Sequence, residues 1–236
     1  MMTNPGDLDR TFHFIMKRMV ESGQAPHYAE IASGLGIPVE EGRRALHDLF
    51  AAGIPGWLFP NTDYIVSFAP FNNLPTQYRI TIEGRQKWFG QWGFESLAVC
   101  WLYPGKTVRI DAPCLDCGLP IRVEIRDGQI LRTEPEGLMG FVAVPFWKWF
   151  ENAPYAWSTM NLFRSEEHIR NWARFDPAAA DGIVSLSDLV KLFSGSYFRR
   201  RLDLDWVSRN REYAREMVTT LAELGRTGPF WKRPKP

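Results

Sequence analysis

The hydrophobic period of this chain changes twice, and that double switch is the tightest constraint on what it can fold into. Over residues 8–53, Leu8, Phe12, Ile15, Met16 and Met19 recur at helical spacing and draw one apolar stripe. Gly23 closes that helix, residues 27–33 suit a second that Gly34 and Gly36 stop, and Pro38 opens a third. Glu40 and Glu41 sit near the positive end of the third helix, and Ala45, Leu46, Leu49 and Phe50 supply its buried face up to Gly53. From residue 64 the text alternates instead. Residues 64–68, 78–82, 108–110 and 121–125 read as strands, the last closing at the turn Asp127-Gly128, and a further strand is expected over 141–144. Between them, residues 86–101 are rich in aromatics and read as a helix. Helical spacing returns at Ser165, an N-cap followed by Glu166 and Glu167. Residues 186–193 read as a helix that continues towards Arg201, and 203–224 as another. The stretch 225–236, with three prolines and four Lys/Arg, reads as loosely ordered. The fold class is therefore α+β.

Three short helices followed by a β-ribbon predict a winged helix-turn-helix over residues 1–68, ahead of an α+β core over 69–195, a mixed sheet with flanking helices, and a helical extension over 196–236. DNA reading by the third helix would need clustered Lys/Arg. That helix instead carries Glu40, Glu41, Arg43, Arg44, His47 and Asp48, a mixed set. The whole chain agrees: 28 Lys+Arg against 27 Asp+Glu give a net charge of +1, which excludes a globally basic nucleic-acid binder. Aromatic residues make up 14%, with ten Trp and sixteen Phe, too many for a disordered chain. The longest apolar run, 137–147, is too short to span a bilayer and contains Pro145. Residues 1–7 carry neither a basic nor an apolar leader pattern, so a cytoplasmic location is expected.

Few residues point to chemistry. Glu95 lies inside the aromatic stretch 89–95, where burial against rings would raise its pKa and suit it to general acid work. The plainer reading is an exposed helix charge. Residues 157–161 read as a strand offering Ser158 and Asn161 between Trp157 and Phe163. Cys114-Leu115-Asp116-Cys117-Gly118 is a turn able to present two thiolates to one metal, with Cys100 as the remaining cysteine. The spacing of His13, His27, His47 and His168 supplies no paired ligands, so a tight turn with two half-buried thiols is the plainer reading. No nucleophile elbow, phosphate loop, dinucleotide fingerprint or zinc-protease motif occurs.

Several stretches in order resemble the alkylmercury lyases, also called organomercurial lyases. After the winged-helix start, Pro70-Phe71-Asn72-Asn73-Leu74-Pro75-Thr76 looks like the family's Pro-Phe-x-x-x-Pro-Thr segment. The aromatic helix, Gly105-Lys106-Thr107-Val108-Arg109 leading to Cys114, and Gly118-Leu119-Pro120-Ile121 continue the likeness. Asn161-Leu162-Phe163-Arg164-Ser165, Trp172 and Ile183-Val184-Ser185-Leu186 extend it, over about residues 8–195. Such enzymes cleave a carbon–mercury bond by protonolysis, with two cysteines on the metal and an aspartate as proton donor.

The resemblance implies that the first cysteine falls on Trp92, the aspartate on Glu95 and the second cysteine near Trp157 or Ser158. Cys114 matches a family cysteine outside the catalytic trio. A one-residue shift of the helix would instead place Ser96 and Val99 at the two helical positions. Indole and hydroxyl do not replace soft thiolates on mercury, so carbon–mercury cleavage is not expected.

The favoured expectation is an enzyme of lyase or hydrolase type, with Glu95 as proton donor or acceptor on a small organic substrate, aromatic or cationic. Trp92 and Trp157 would wall the pocket, and Ser158 and Asn161 would orient the substrate. Two alternatives stay open. One is a non-catalytic ligand- or DNA-binding regulator using the winged helix. The other is a thiolate metal protein, or residual organomercurial lyase, using Cys114, Cys117 and Cys100. No cofactor is expected apart from zinc or another thiolate-bound metal. The expected partner is a small molecule rather than nucleic acid or membrane, and a homodimer stays open. Residues 196–236, with Tyr197-Phe198-Arg199-Arg200-Arg201 and Trp231-Lys232-Arg233, could cap the pocket or pack on a second subunit. The plainer reading there is a solvated helix with a frayed tail.

Overall fold

The computed structural model describes residues 5–149, 151–174 and 179–232. Helices α1 (Pro5–Ser22), α2 (Tyr28–Leu35) and α3 (Val39–Ala51) form on the helical stripes, but Gly34 does not stop α2, which runs through it to Leu35. His27 caps α2 through a reciprocal pairing with Glu30, and Gly36 ends it in the left-handed region at φ 69°. Most of the expected apolar face is used: Phe12, Ile15, Met16, Met19, Ala45, Leu46 and Leu49 are buried, and Leu8 and Phe50 are half-buried against them.

Strands β1 (Gly56–Leu58), β2 (Ile65–Phe68), β3 (Phe71–Asn72), β4 (Arg79–Ile82) and β5 (Arg85–Gly90) follow. After helix α4 (Gly93–Leu97) come β6 (Val108–Pro113), β7 (Pro120–Arg126) and β8 (Gln129–Glu134). These strands make one antiparallel sheet of eight, not the mixed sheet expected, in the order β1-β2-β3-β5-β4-β6-β7-β8, because short turns join most consecutive strands and no helix crosses between parallel neighbours. The ribbon expected at the end of the first segment thus continues into the sheet of the second.

A smaller three-stranded sheet places β9 (Met139–Phe141) between β10 (Asn161–Phe163) and β11 (Ile183–Ser185). Around it lie α5 (Ala153–Ser158), α6 (Glu166–Trp172), α7 (Leu186–Leu192), α8 (Ser196–Arg199) and α9 (Trp206–Glu223). Among the described residues no helix is long and apolar enough to cross a membrane.

Several expectations need correction. Residues 86–101 are not one helix: 85–90 form β5, and only 93–97 and a 3-10 turn over 98–102 are helical. Glu83 and Gly84, both at positive φ, fold β5 back onto β4, and the cross-strand partner decides the conformation of a segment whose apolar pattern fits either state. Residues 157–161 are not a strand, because Asn152 accepts from Tyr155 N–H and starts α5, which runs to Ser158. The strand expected at 141–144 lies at 139–141. The helix of 186–193 stops at Leu192, and α8 starts afresh after Gly195.

As far as the described residues reach, to Lys232, the tail is packed rather than loose. Phe230 and Trp231 are buried, Phe146 N–H donates to the Phe230 carbonyl at 2.9 Å, and Trp231 Nε1 donates to the Asp181 carbonyl at 2.9 Å. Arg233 lies outside the described residues, as do residues 1–4 at the other end of the chain.

Candidate functional site

The site begins where β5 gives way to α4. Gly93 N–H donates to the Met160 carbonyl at 2.9 Å, bringing the start of α4 against the chain just before β10. A side chain at Gly93 would put its Cβ 2.8 Å from Tyr78 Oη and 3.0 Å from the Met160 carbonyl oxygen, so the contact requires glycine. Trp92, the N-cap, accepts from both Ser96 N–H and Ser96 Oγ, at 3.0 and 2.6 Å. These bonds seat Glu95 in the first turn of α4 with its side chain only 5% exposed.

Arg201, just beyond α8, faces it. Its side chain is 0% exposed, and Nη1 lies 3.4 Å from Glu95 Oε2. Neither Glu95 Oε2 nor any guanidinium nitrogen of Arg201 has a hydrogen-bond partner among the described residues. The cation is held instead over the rings of Phe198, Tyr197 and Trp206, at 5.1, 5.4 and 5.7 Å. This is an ion pair held by charge and ring faces, without the two-pronged hydrogen bonding that arginine and carboxylate form elsewhere.

Beside the carboxyl lies a narrow cavity of ≈ 10 Å³ walled by Trp149, Trp157, Phe193, Tyr197 and Phe198. That is room for about one water molecule. Burial pushes the Glu95 carboxyl above its ordinary range, and the charge of Arg201 pulls it part of the way back. Arginine stays charged at any ordinary pH, so the titrating member of the pair is Glu95. The neighbouring Tyr197 hydroxyl is also raised by burial, and Tyr78, under α4, is pushed up to about 12. A carboxyl held in this way can carry a proton at a pH where an exposed one would be ionised.

The other expected residues divide. Trp157 lines the cavity with Glu95. Trp92 is half-buried, its indole Nε1 has no hydrogen-bond partner among the described residues, and it is not among the side chains that line the cavity. Ser158 Oγ donates to the Tyr155 carbonyl at 2.7 Å. Asn161 is spent on its neighbours: Oδ1 accepts from Gln77 Nε2 at 2.9 Å and Tyr78 Oη at 3.1 Å, and Nδ2 donates to the Ser158 carbonyl at 2.9 Å. Neither Ser158 nor Asn161 lines the cavity. Arg201 and the aromatics of 197–198 were visible in the sequence as bases mixed with rings, but nothing local marked them as partners of Glu95.

Cys114 and Cys117 stay together at the turn between β6 and β7, and the ligand atoms of both lie within 4.8 Å of His168. Cys100 is not in that group. Its thiol donates to the Leu97 carbonyl at 3.2 Å, and burial pushes it up to about 11. The third donor-bearing side chain beside the cysteine pair is His168, a residue whose sequence spacing gave no hint of it.

The family model of MerB, alkylmercury lyase, matches residues 71–197. Alkylmercury lyases of Bacillus cereus and Clostridium butyricum are each 24% identical over 128 residues, covering 54% of this chain and 55% of the relative. The chain thus spans about half the length of the curated relatives it matches. Among solved structures, the mercury-bound form of MerB2 superposes with a TM-score of 0.59 at 20% identity, covering 85% of this chain and 98% of that one.

Proposed function

The chain belongs to the alkylmercury lyase family, and we propose that it is an enzyme of lyase or hydrolase type that transfers a proton between Glu95 and a small organic substrate. The observation that carries this reading is the Glu95 carboxyl, buried against Arg201 at one side of an aromatic-walled cavity. Protonated Glu95 gives its proton to a carbon or heteroatom of the substrate. The carboxylate left behind is stabilised by the guanidinium 3.4 Å away, which lowers the cost of the transfer in a dry site. Trp157 and the rings of 197–198 exclude water and stack on the substrate. A cavity of ≈ 10 Å³ admits no organic molecule until that aromatic wall moves. Where the family resemblance sets cysteines, this chain has Trp92 and Trp157 or Ser158, so soft-metal ligation is absent from the proposed chemistry.

Deuterium incorporation tests this. The protein is incubated in D₂O with a panel of small enolisable, aromatic and cationic compounds and with an arylmercurial, and each product is read by NMR. Wild type is expected to label at least one organic compound at carbon and to leave the arylmercurial intact. Glu95→Gln is expected to label none, and the Glu95→Gln/Arg201→Met double variant serves as a control without an orphaned charge. Equal labelling by wild type and Glu95→Gln would remove Glu95 from the reaction, and no labelling across the panel would count against proton transfer.

The helices α1–α3 with the β1–β2 ribbon support a winged helix-turn-helix reading for the first segment, in a supporting role. Several of its outward charges are paired locally: Arg43 and His47 both reach Asp63, at 3.0 and 2.6 Å, and Arg18 reaches Glu30 at 3.0 Å. On its other side Phe12 stacks on Trp206 at 4.4 Å, and Asp9 accepts from Ser208 N–H and Oγ. The segment thereby braces the helix that follows Arg201.

A further inference from the structure

We propose that Cys114, Cys117 and His168 bind a single metal ion of the zinc class, with Asp116 orienting the histidine. The proposal stands apart from the Glu95 reading and uses none of its residues.

Two separate pieces of chain build the site. The first is the turn between β6 and β7. Cys114 N–H donates to the Leu119 carbonyl at 2.9 Å, and Gly118 N–H donates back to the Cys114 carbonyl at 2.8 Å. Gly118 lies at φ 72°, the left-handed region in which glycine is unstrained, and this lets the backbone curl beneath the two thiols. The second piece is the start of α6. Ser165 caps it by accepting from His168 N–H, which fixes His168 in the first turn. Arg164, one residue before the cap, donates to the Pro120 carbonyl at 2.9 Å and ties the two pieces together.

The donor set is coherent. The two sulfurs and an imidazole nitrogen lie within 4.8 Å of one another. Two sulfurs on one tetrahedral zinc stand about 3.8 Å apart, given metal–sulfur bonds of about 2.3 Å, so each donor needs to close by less than about 1 Å. Asp116 Oδ2 lies 2.6 Å from His168 Nδ1. With the proton held on Nδ1 by that carboxylate, the lone pair is on Nε2, the carboxylate–histidine–metal arrangement that second-shell groups provide. Thiolate and imidazole select zinc and softer ions over magnesium or calcium.

Exposure is graded across the group, with Cys114 buried, the His168 side chain 29% exposed and Cys117 exposed. An ion can therefore enter from solvent. With three protein donors, the fourth position is left to water or an outside ligand. A thiol pair alone would also suit a disulfide. A disulfide gives no role to a histidine held against the pair by its own carboxylate.

Cobalt(II) is the probe, added to the full-length reduced protein, with zinc as competitor. Wild type is expected to take up one cobalt per chain. The spectrum should show thiolate-to-cobalt charge transfer and the intense visible bands of a tetrahedral ion, and one equivalent of zinc should erase both. Cys117→Ser and His168→Ala, both at accessible positions, are each expected to lose the tetrahedral spectrum while circular dichroism stays unchanged. Asp116→Asn is expected to bind about 10- to 100-fold more weakly. Cys100→Ser is expected to bind as wild type does. The proposal is overturned if reduced wild type takes up no cobalt, or if the spectrum lacks the thiolate band. It also fails if Cys117→Ser and His168→Ala bind as tightly as wild type.

Discussion

Glu95 and Asp63 both face an arginine, yet their carboxyls move in opposite directions. Asp63, 18% exposed, accepts from His47 first and Arg43 second, and its pKa is lowered. Glu95, 5% exposed and facing Arg201, is raised, because burial outweighs the cation. The difference teaches that a neighbouring arginine does not by itself decide the charge of a carboxyl. At Asp63 the partner side chains are half in water, and hydrogen bonds to the ionised form decide. At Glu95 both side chains are buried, Oε2 and the guanidinium nitrogens have no hydrogen-bond partner among the described residues, and desolvation outweighs Arg201.

The largest expected effect is at the dry pair. Arg201→Met leaves any ionised Glu95 without a partner and should cost about 3–5 kcal/mol in denaturant unfolding, whereas the double variant Glu95→Gln/Arg201→Met should regain most of that loss. If the single and double variants unfold alike, the pair is not coupled and the comparison fails. Next comes the contact that seats Glu95. Gly93→Ala should cost about 1–3 kcal/mol, since its Cβ would lie 2.8 Å from Tyr78 Oη, and it should lower turnover or ligand binding with it.

The pH profiles sharpen the contrast further. The Glu95 carboxyl is raised above its ordinary 4.5, so its contribution to stability is complete below that pH and is lost as pH rises through the raised value. Wild type should therefore lose stability relative to Glu95→Gln as pH climbs from about 4.5. Asp63 is lowered from 3.8, so its contribution is present above that pH and is lost as pH falls below it. Wild type should lose its advantage over Asp63→Asn in acid, and only there. Parallel profiles for the two residues would show that burial does not separate them. The smallest effect is that of Asp63→Asn at neutral pH, a minor loss that should shrink further with added salt, because its partners are exposed.

How much of this was legible in the sequence varied with the range of the forces involved. The three N-terminal helices were legible because their stripe, their stops and the acidic first turn of α3 lie within a few residues of one another. The β7–β8 turn at Asp127-Gly128 was legible too, since both residues take the positive φ that this dipeptide tolerates. The conformation of β5 was not, because its partner strand chose between two states that its aromatics equally allow. Glu95 was singled out by its aromatic neighbours and by a family resemblance. Trp157 joins it at the cavity across a separation no local pattern encodes. Ser158 and Asn161 looked available as isolated polar residues and turn out to be bonded to their neighbours.

By itself, then, the sequence determined where the period changes, where the three N-terminal helices lie, and that the chain is a divergent alkylmercury lyase relative. Which groups meet was decided by tertiary structure alone. The run Arg199-Arg200-Arg201 makes the point: its members are alike in local chemistry, yet Arg199 lies over the Trp101 ring at 5.2 Å and Arg200 reaches Asp203 at 3.3 Å. Arg201 alone is buried against Glu95. Periodicity and capping act over a turn or two of chain and are written locally. Burial depends on what the rest of the fold puts on top of a residue, and it is burial that sets the protonation of Glu95.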